Sequence, residues 1–385
     1  MRTEQHIIQT DKMIRNKRRP MVRFITFCAI LLLCSCKNES KKIDNSTSSK
    51  TEYKTDMVKM YPSDVIPFFN EWKLILGDGS NVGHANQFEH NDFFYTANDS
   101  TGNWVVFKSP NGGNTHGTSN NTRTELAQVK KWYPKTANDK LSATLKVMNV
   151  SATGDARVAA THAVVVGQIH SADAHENEPL KIFYKKFPGH TKGSVFWHYE
   201  INTKGDDNSK RWDFSTAVWG NDFSVVGTDV NNYPKEPEDG IELGEVFSYE
   251  IEVVDGIMNL TFSSKGHETK TFSKNLIVSE YTTPADIPEQ TKQLFVPLGQ
   301  DGVERNNAYA GEGCFFKLGC YNQTNGKSPD ENKNWCSGAE THGGNVSMQY
   351  ADGNYAEVWF KSASIKVNEN AVSNEGYFTK NDKIN

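Results

Sequence analysis

Cysteine is scarce in this chain, six among 385 residues, and no two are spaced C-x-x-C. That excludes a zinc ribbon and a disulfide-dense small domain. No apolar run approaches the ~18 residues a membrane-spanning helix requires, so a polytopic membrane protein is excluded as well. Positive charge is in the minority, with 42 Lys and Arg against 47 Asp and Glu, and beyond residue 35 the balance is 35 against 45. Nonspecific nucleic-acid binding, which depends on neutralising phosphates, fits such a chain poorly. Long amphipathic helix patterns are scarce and no internal repeat is seen, which argues against helical bundles and solenoids. What the chain does hold is turn formers and aromatics, with 29 Gly, 21 Phe, 14 Tyr and 8 Trp, and enough apolar residues (36%) to exclude disorder.

Arg15, Lys17, Arg18, Arg19 and Arg23 precede an apolar run over 24–33 that closes in Leu33-Cys34-Ser35-Cys36. A basic segment followed by about ten apolar residues reads as a secretory signal over 1–35. The closing tetrapeptide resembles a bacterial lipobox with Cys36 as the lipidated residue; the plainer alternative is an ordinary signal with incidental cysteines. Met21 offers a second start for the leader. Residues 36–60 are polar and suit a flexible tether. Together these features imply export, an outer-membrane anchor facing the cell surface, and membrane contact through lipid alone. Cys314, Cys320 and Cys336 remain for the folded part. In an oxidising compartment three cysteines imply one disulfide, Cys336 pairing with Cys314 or Cys320, and one free thiol.

Between 61 and 370 the chain shows short runs of β-branched and aromatic residues parted by Gly, Asn, Asp and Pro, for example over 104–108, 141–150, 163–170, 194–201, 247–254 and 356–367. Runs at this spacing argue for an all-β sandwich or barrel. One domain over 61–370 is expected, with charged loop insertions near 171–179, 203–213, 228–242 and 279–313, and a C-terminal tail over 371–385.

Three of the strand-like segments carry polar residues on one face. Extended backbone turns alternate side chains to opposite sides. Asn121, Arg123 and Glu125 therefore share a face, as do Gln168 and His170 with Ile169 opposite, and as do Lys317, Gly319, Tyr321 and Gln323 with Phe316, Leu318 and Cys320 opposite. Were the three strands neighbours, their polar faces would line one groove. Such a set suits removal of a proton α to a sugar carboxylate. Arg and the Gln amide neutralise the carboxylate, and His and Tyr serve as base and acid, a positioned group contributing about 10²- to 10⁴-fold.

Arg123-Thr124-Glu125-Leu126, Gln168-Ile169-His170 and the block from Phe315 to Gln323 resemble the three signature blocks of polysaccharide lyase family 7 alginate lyases, in the family's order. The resemblance implies a β-jelly-roll sandwich of two curved antiparallel sheets with long loop insertions, cleaving the 1,4 bond of alginate by β-elimination. Carried over position by position, Arg123 and Gln168 would neutralise the C5 carboxylate, His170 would take the C5 proton of guluronate, and Tyr321 would protonate the leaving O4. Asn121, Glu125, Lys317 and Gln323 would bind neighbouring sugars or orient the reacting groups. Where the family's third block has Ala and Val, this chain has Leu318 and Cys320, both on the inward face; a second Arg, common after Leu126, is absent. Ile169 is associated in the family with guluronate-containing stretches, and long insertions that wall off a groove would favour release from a chain end.

No cofactor is required by this chemistry, although acidic loops leave a structural calcium open; the mixed loop of Asp173, His175 and Glu176 beside His170 reads as solvated rather than as a metal site. A monomer acting on polyuronate is expected, its cations concentrated in the groove. Two other functions compete. A jelly-roll glycoside hydrolase needs two carboxylates at the scissile bond, and these faces carry only Glu125. A noncatalytic glycan-binding lipoprotein would use aromatics such as Trp197, Trp212 and Trp219 as sugar platforms.

Overall fold

β-Branched and aromatic residues at every second position build two antiparallel sheets that face one another. The structure, a computed structural model, describes residues 59–67, 69–117, 119–172, 178–203, 207–277 and 313–381. All belong to one compact unit. From edge to edge the inner sheet runs β11 (Asp207–Trp219), β10 (Lys192–Thr203), β9 (Leu180–Lys185), β8 (Ala163–Ser171), β16 (Cys314–Asn322), β5 (Arg123–Gln128), β1 (Trp72–Ile75) and β2 (Asn81–Gly83), with β12 (Ile241–Glu242) paired to β10. The outer sheet runs β15 (Lys270–Asn275), β14 (Ile257–Ser264), β13 (Val246–Val254), β7 (Asn138–Asn149), β17 (Tyr355–Lys366), β4 (Gly102–Pro110) and β3 (Phe94–Asp99). A third ribbon pairs β6 (Lys130–Lys131) with β18 (Val372–Ser373). This is the β-jelly-roll sandwich expected.

Burial tells the sheets apart. In β13, Phe247, Tyr249, Ile251 and Val253 are buried while the residues between them are not, the mark of a sheet with one face in water. In β8 all nine residues are buried, so the inner sheet is covered on both faces. One side of it packs Val164, Ile169, Phe316, Leu318 and Cys320 against Leu145, Tyr249 and Phe107 of the outer sheet. Each large side chain so buried contributes about 1.5–3 kcal/mol. The other side, where the groove expected from the sequence would lie, carries a separate apolar cluster of Val165, Phe183, Phe196 and Phe223, with Tyr321 and Trp335 packed on it.

Two irregularities set which residues face the groove. Val166 lies in the inter-sheet core, and a Cβ on Gly167 would stand 2.6 Å from the hydroxyl of Tyr249, so consecutive residues turn the same way. The register of β8 on β9 slips at this point. Strict alternation from Val164 and Val166 would have buried Gln168 between the sheets; the extra residue reverses the phase and delivers Gln168 and His170 to the groove. A second slip lies between Leu318 and Tyr321, where Gly319 adopts φ +148° and a Cβ would meet the Thr124 carbonyl oxygen at 2.5 Å.

Several expectations are corrected. Cys314, Cys320 and Cys336 are not bonded to one another. Cys314 and Cys320 share one strand and point into the core between the sheets, whereas Cys336 follows Trp335, whose ring packs on the apolar cluster of the other face. Trp197 and Trp219 pack in the inter-sheet core and offer no sugar platform; the side chain of Trp212 lies outside the described residues. Residues 207–213, expected in a loop, extend β11 in a long hairpin with β10. Residues 371–381, expected as a tail, form β18 and a helix over Glu375–Asn381 whose Phe378 is buried. The leader, Cys36, all of the tether but residues 59–60, the loop residues Asp173, His175 and Glu176, and most of the insertion near 279–313 lie outside the described residues.

Candidate active site

Three adjacent strands build the site. Register sets Tyr321 beside Arg123 and Gly319 beside Glu125 across β16 and β5, and Lys317 beside Gln168 and Phe315 beside His170 across β16 and β8. Arg123, Glu125, Gln168, His170, Lys317 and Tyr321 are thereby brought together.

Glu125 is the hub. It is 2% exposed, its Oε1 accepts a hydrogen bond from Gln168 Nε2, and its Oε2 lies 3.5 Å from both Arg123 Nη1 and Lys317 Nζ. Placed among Arg123, Gln168 and Lys317, this carboxylate fixes the orientation of all three. Arg123 is further fixed by the Tyr321 ring, 3.8 Å from the guanidinium carbon. Its Nε–H is buried without a partner, as is Gln168 Oε1. An unpaired buried donor costs about 1–3 kcal/mol, and a ligand carboxylate would relieve that cost. Burial opposes the guanidinium charge, but Tyr321, Glu125, Tyr377 and Glu178 outweigh it and raise the Arg123 pKa.

His170 Nδ1 lies 2.6 Å from the Ser171 carbonyl oxygen. A carbonyl only accepts, so Nδ1 carries the proton and the neutral ring presents a lone pair at Nε2. Burial, then the charge of Lys317, with Arg123 and Lys181 adding, holds the His170 pKa well below its usual 6.5. Glu178 Oε1 stands 3.6 Å from Nε2. Lys317, 2% exposed, donates to the Tyr377 hydroxyl at 3.2 Å. Its burial works against the charge, but Tyr377 and Glu125 prevail and raise its pKa, keeping it an ammonium. Tyr321 is partly exposed, and its hydroxyl meets Ser119 Oγ at 3.1 Å.

Asn121 and Gln323 adjoin this cluster through backbone hydrogen bonds. Asn121 donates through Nδ2 to the Asn322 carbonyl at 2.7 Å and accepts from Asn325 at 3.1 Å; Gln323, 3% exposed, donates to the Tyr321 carbonyl at 3.3 Å. Both brace strand ends. The alternation argument had carried each one past the end of its regular strand.

Four contributors were not foreseen: Ser119 beneath the Tyr321 hydroxyl, Glu178 beside His170, Lys181 next to Gln168 in register, and Tyr377 against Lys317. Lys181 is paired with Glu200 and with Glu178. Arg123, Lys317 and Lys181 are thus each matched by carboxylates, and the expected concentration of cations resolves into directed donors rather than a field of one sign. Further along the groove Trp335 stands on Phe223, ring centroids 5.1 Å apart, with Lys181 Nζ 5.2 Å from its ring. Among the described residues no group of three or more His, Cys, Asp or Glu is placed to hold a metal ion.

The family model of alginate lyases matches residues 66–367. An alginate lyase of Klebsiella pneumoniae is 28% identical over 302 residues, covering 68% of this chain and 84% of that protein. Among solved structures, an exolytic PL7 alginate lyase from Zobellia galactanivorans is 61% identical with a TM-score of 0.77, over 80% of this chain and 98% of that one. The crystal structure of the alginate lyase from Klebsiella pneumoniae, 20% identical over 78% of this chain and 96% of its own, shares the fold at a TM-score of 0.53. With its jelly roll, its ordered blocks on three neighbouring strands and a family match over most of its length, this chain belongs to the alginate lyase family and is a polysaccharide lyase.

Proposed function

We propose that the enzyme cleaves the 1,4 bonds of alginate by β-elimination, leaving a 4,5-unsaturated uronate at the new non-reducing end. The observation that carries this is the convergence of the unpaired Arg123 Nε–H, the Gln168 amide, the His170 lone pair and the Tyr321 hydroxyl on one patch of groove. A uronate carboxylate at Arg123 and Gln168 has its charge offset, so the electrons left when C5 loses its proton are tolerated there. In guluronate His170 Nε2 takes the C5 proton. The electron pair forms the C4–C5 double bond, the bond from C4 to the glycosidic oxygen breaks, and Tyr321 gives that oxygen a proton. For mannuronate, Tyr321 would serve as both base and acid. Every group in the scheme is a side chain of this chain, so no cofactor is invoked.

Guluronate-containing stretches are the preferred substrate in this reading. Ile169 is buried between the sheets, so its influence on that choice is exerted through the placement of Gln168 and His170 on either side of it. Attack from a chain end is supported by the 61% identity to an exolytic relative. The enzyme would act as a monomer from the outer membrane, tethered by lipid on Cys36. Incubation with defined guluronate and mannuronate blocks tests the elimination, the substrate preference and the end attack. Unsaturated monomers or dimers from the first minutes, released faster from guluronate, are expected. Saturated products would overturn the elimination, and early oligomers of mixed length would overturn the end attack. Loss of labelled fatty acid from a Cys36→Ser chain tests the anchor; retained label would refute it.

A further inference from the structure

The helix Glu375–Asn381 lies outside the stretch 66–367 matched by the family, yet it reaches the reacting groups. Its docking is specific. Val372 and Ser373 pair with Lys131 and Lys130, and Asn374 donates through its backbone to the Val129 carbonyl at 2.8 Å and through Nδ2 to the Gln128 carbonyl at 3.3 Å. Glu375 pairs with Lys73 at 2.7 Å, and Phe378, 2% exposed, packs on Ala127 and Phe315. Tyr377 is thereby delivered to one place. Its hydroxyl accepts from Lys317 Nζ at 3.2 Å, and its ring centroid lies 5.4 Å from that of His170 and 4.7 Å from that of Phe315, itself 5.2 Å from His170.

We propose that Tyr377 is a positioning residue for the elimination, clamping the His170 imidazole against Phe315 and holding the Lys317 ammonium in line with Glu125. The inference rests on the reaction proposed above. The Ser171 carbonyl fixes one nitrogen of the imidazole, and the two aromatic rings fix its plane, so that the direction of Nε2 is set. The Tyr377 hydroxyl is nearer to Lys317 Nζ than Glu125 is, at 3.2 Å against 3.5 Å. Without that hydroxyl the ammonium is free to close on Glu125 and draw it from Arg123 and Gln168, the two groups that meet the substrate carboxylate.

Two variants separate positioning from mere support. Tyr377→Phe keeps the ring and removes the hydroxyl. It should lower kcat about tenfold, the scale of a hydrogen bond to a charged group, with KM close to wild type and, because the bond is lost from a buried ammonium, a melting temperature a few degrees lower. Tyr377→Ala removes the ring and lets water reach His170. The charged and titratable groups around that imidazole are Lys317 from β16, Arg123 from β5, Lys181 from β9, Glu178 just before it and Tyr377 from the helix. Burial being the first cause of its low pKa, the acidic limb of kcat/KM should move to higher pH in Tyr377→Ala and stay in place in Tyr377→Phe. A role in stability alone would lower the melting temperature and leave that limb unmoved. Wild-type kcat in Tyr377→Phe overturns the proposal, as does an unmoved limb in Tyr377→Ala; should the alanine variant not fold, the phenylalanine variant decides alone. A wild-type enzyme giving saturated products would overturn the reaction and this inference with it, whereas the variant results bear on the inference only.

Discussion

Replacing Glu125 with glutamine removes a negative charge from between two buried cations and leaves the shape of the site intact. Taking one partner from a buried ion pair costs about 3–5 kcal/mol, because the other charge is left without compensation. Arg123 and Lys317 side chains are 11% and 3% exposed, so Lys317 bears the larger share. Arg123 keeps its contact with the Tyr321 ring, worth about 0.5–2 kcal/mol, which argues for the lower end of the range. A loss of about 3 kcal/mol, at about 2–4 °C per kcal/mol for a domain of this size, lowers the melting temperature by about 6–12 °C. The pH dependence gives a second reading. In the wild type the Lys317 pKa is raised above 10.5, so its stabilisation is present below that pH and lost as pH climbs through the folded value. In Glu125→Gln one of the groups that raise it is gone, so the Lys317 pKa should be lower than in wild type. The variant's folded state then binds the proton less well than the wild type's, and the deficit should shrink, never widen, as pH rises. Thermal melts of both proteins at neutral and mildly alkaline pH measure this. A variant melting within about 2 °C of wild type, or a deficit that widens with pH, would refute the hub assigned to Glu125.

Two further outcomes follow from the same geometry. Because burial and Lys317 hold His170 neutral well below pH 6.5, the acidic limb of kcat/KM should lie below that value, and a limb above it would reject His170 as the base. Gly319→Ala places a Cβ 2.5 Å from the Thr124 carbonyl oxygen and 2.8 Å from Glu125 Cα at φ +148°, so β16 and β5 must separate; a loss of roughly 1–3 kcal/mol by chemical denaturation and a matching drop in kcat are expected, and a variant with wild-type stability would deny the constraint.

Local pattern carried a good part of the site. Alternation placed Tyr321 and Lys317 on one face and Leu318 and Cys320 on the other, because β16 is regular through Leu318 and its glycine slip restores the phase before Tyr321. Gln168 and His170 reached the groove for a reason alternation does not contain: the run Val164 to Val166 has no polar partner to mark its phase, and the bulge at Gly167 is fixed by Tyr249 from the other sheet. Trp197 and Trp219 were misjudged because an aromatic in a strand looks the same whichever face it takes, and only packing against Phe272, Phe247 and Phe262 decides it. Tyr377 was illegible for a different reason. It meets Lys317 across 60 residues of sequence, and no period in either segment records that contact.

The most direct test follows unsaturated uronate by its ultraviolet absorbance when alginate is added to wild type and to Tyr321→Phe, with binding of the polymer measured alongside. Wild type should generate the chromophore, while the folded Tyr321→Phe protein binds alginate and generates none. A correctly folded Tyr321→Phe enzyme that forms the double bond at the wild-type rate would contradict the convergence of Arg123, Gln168, His170 and Tyr321 on one eliminated proton and one leaving oxygen.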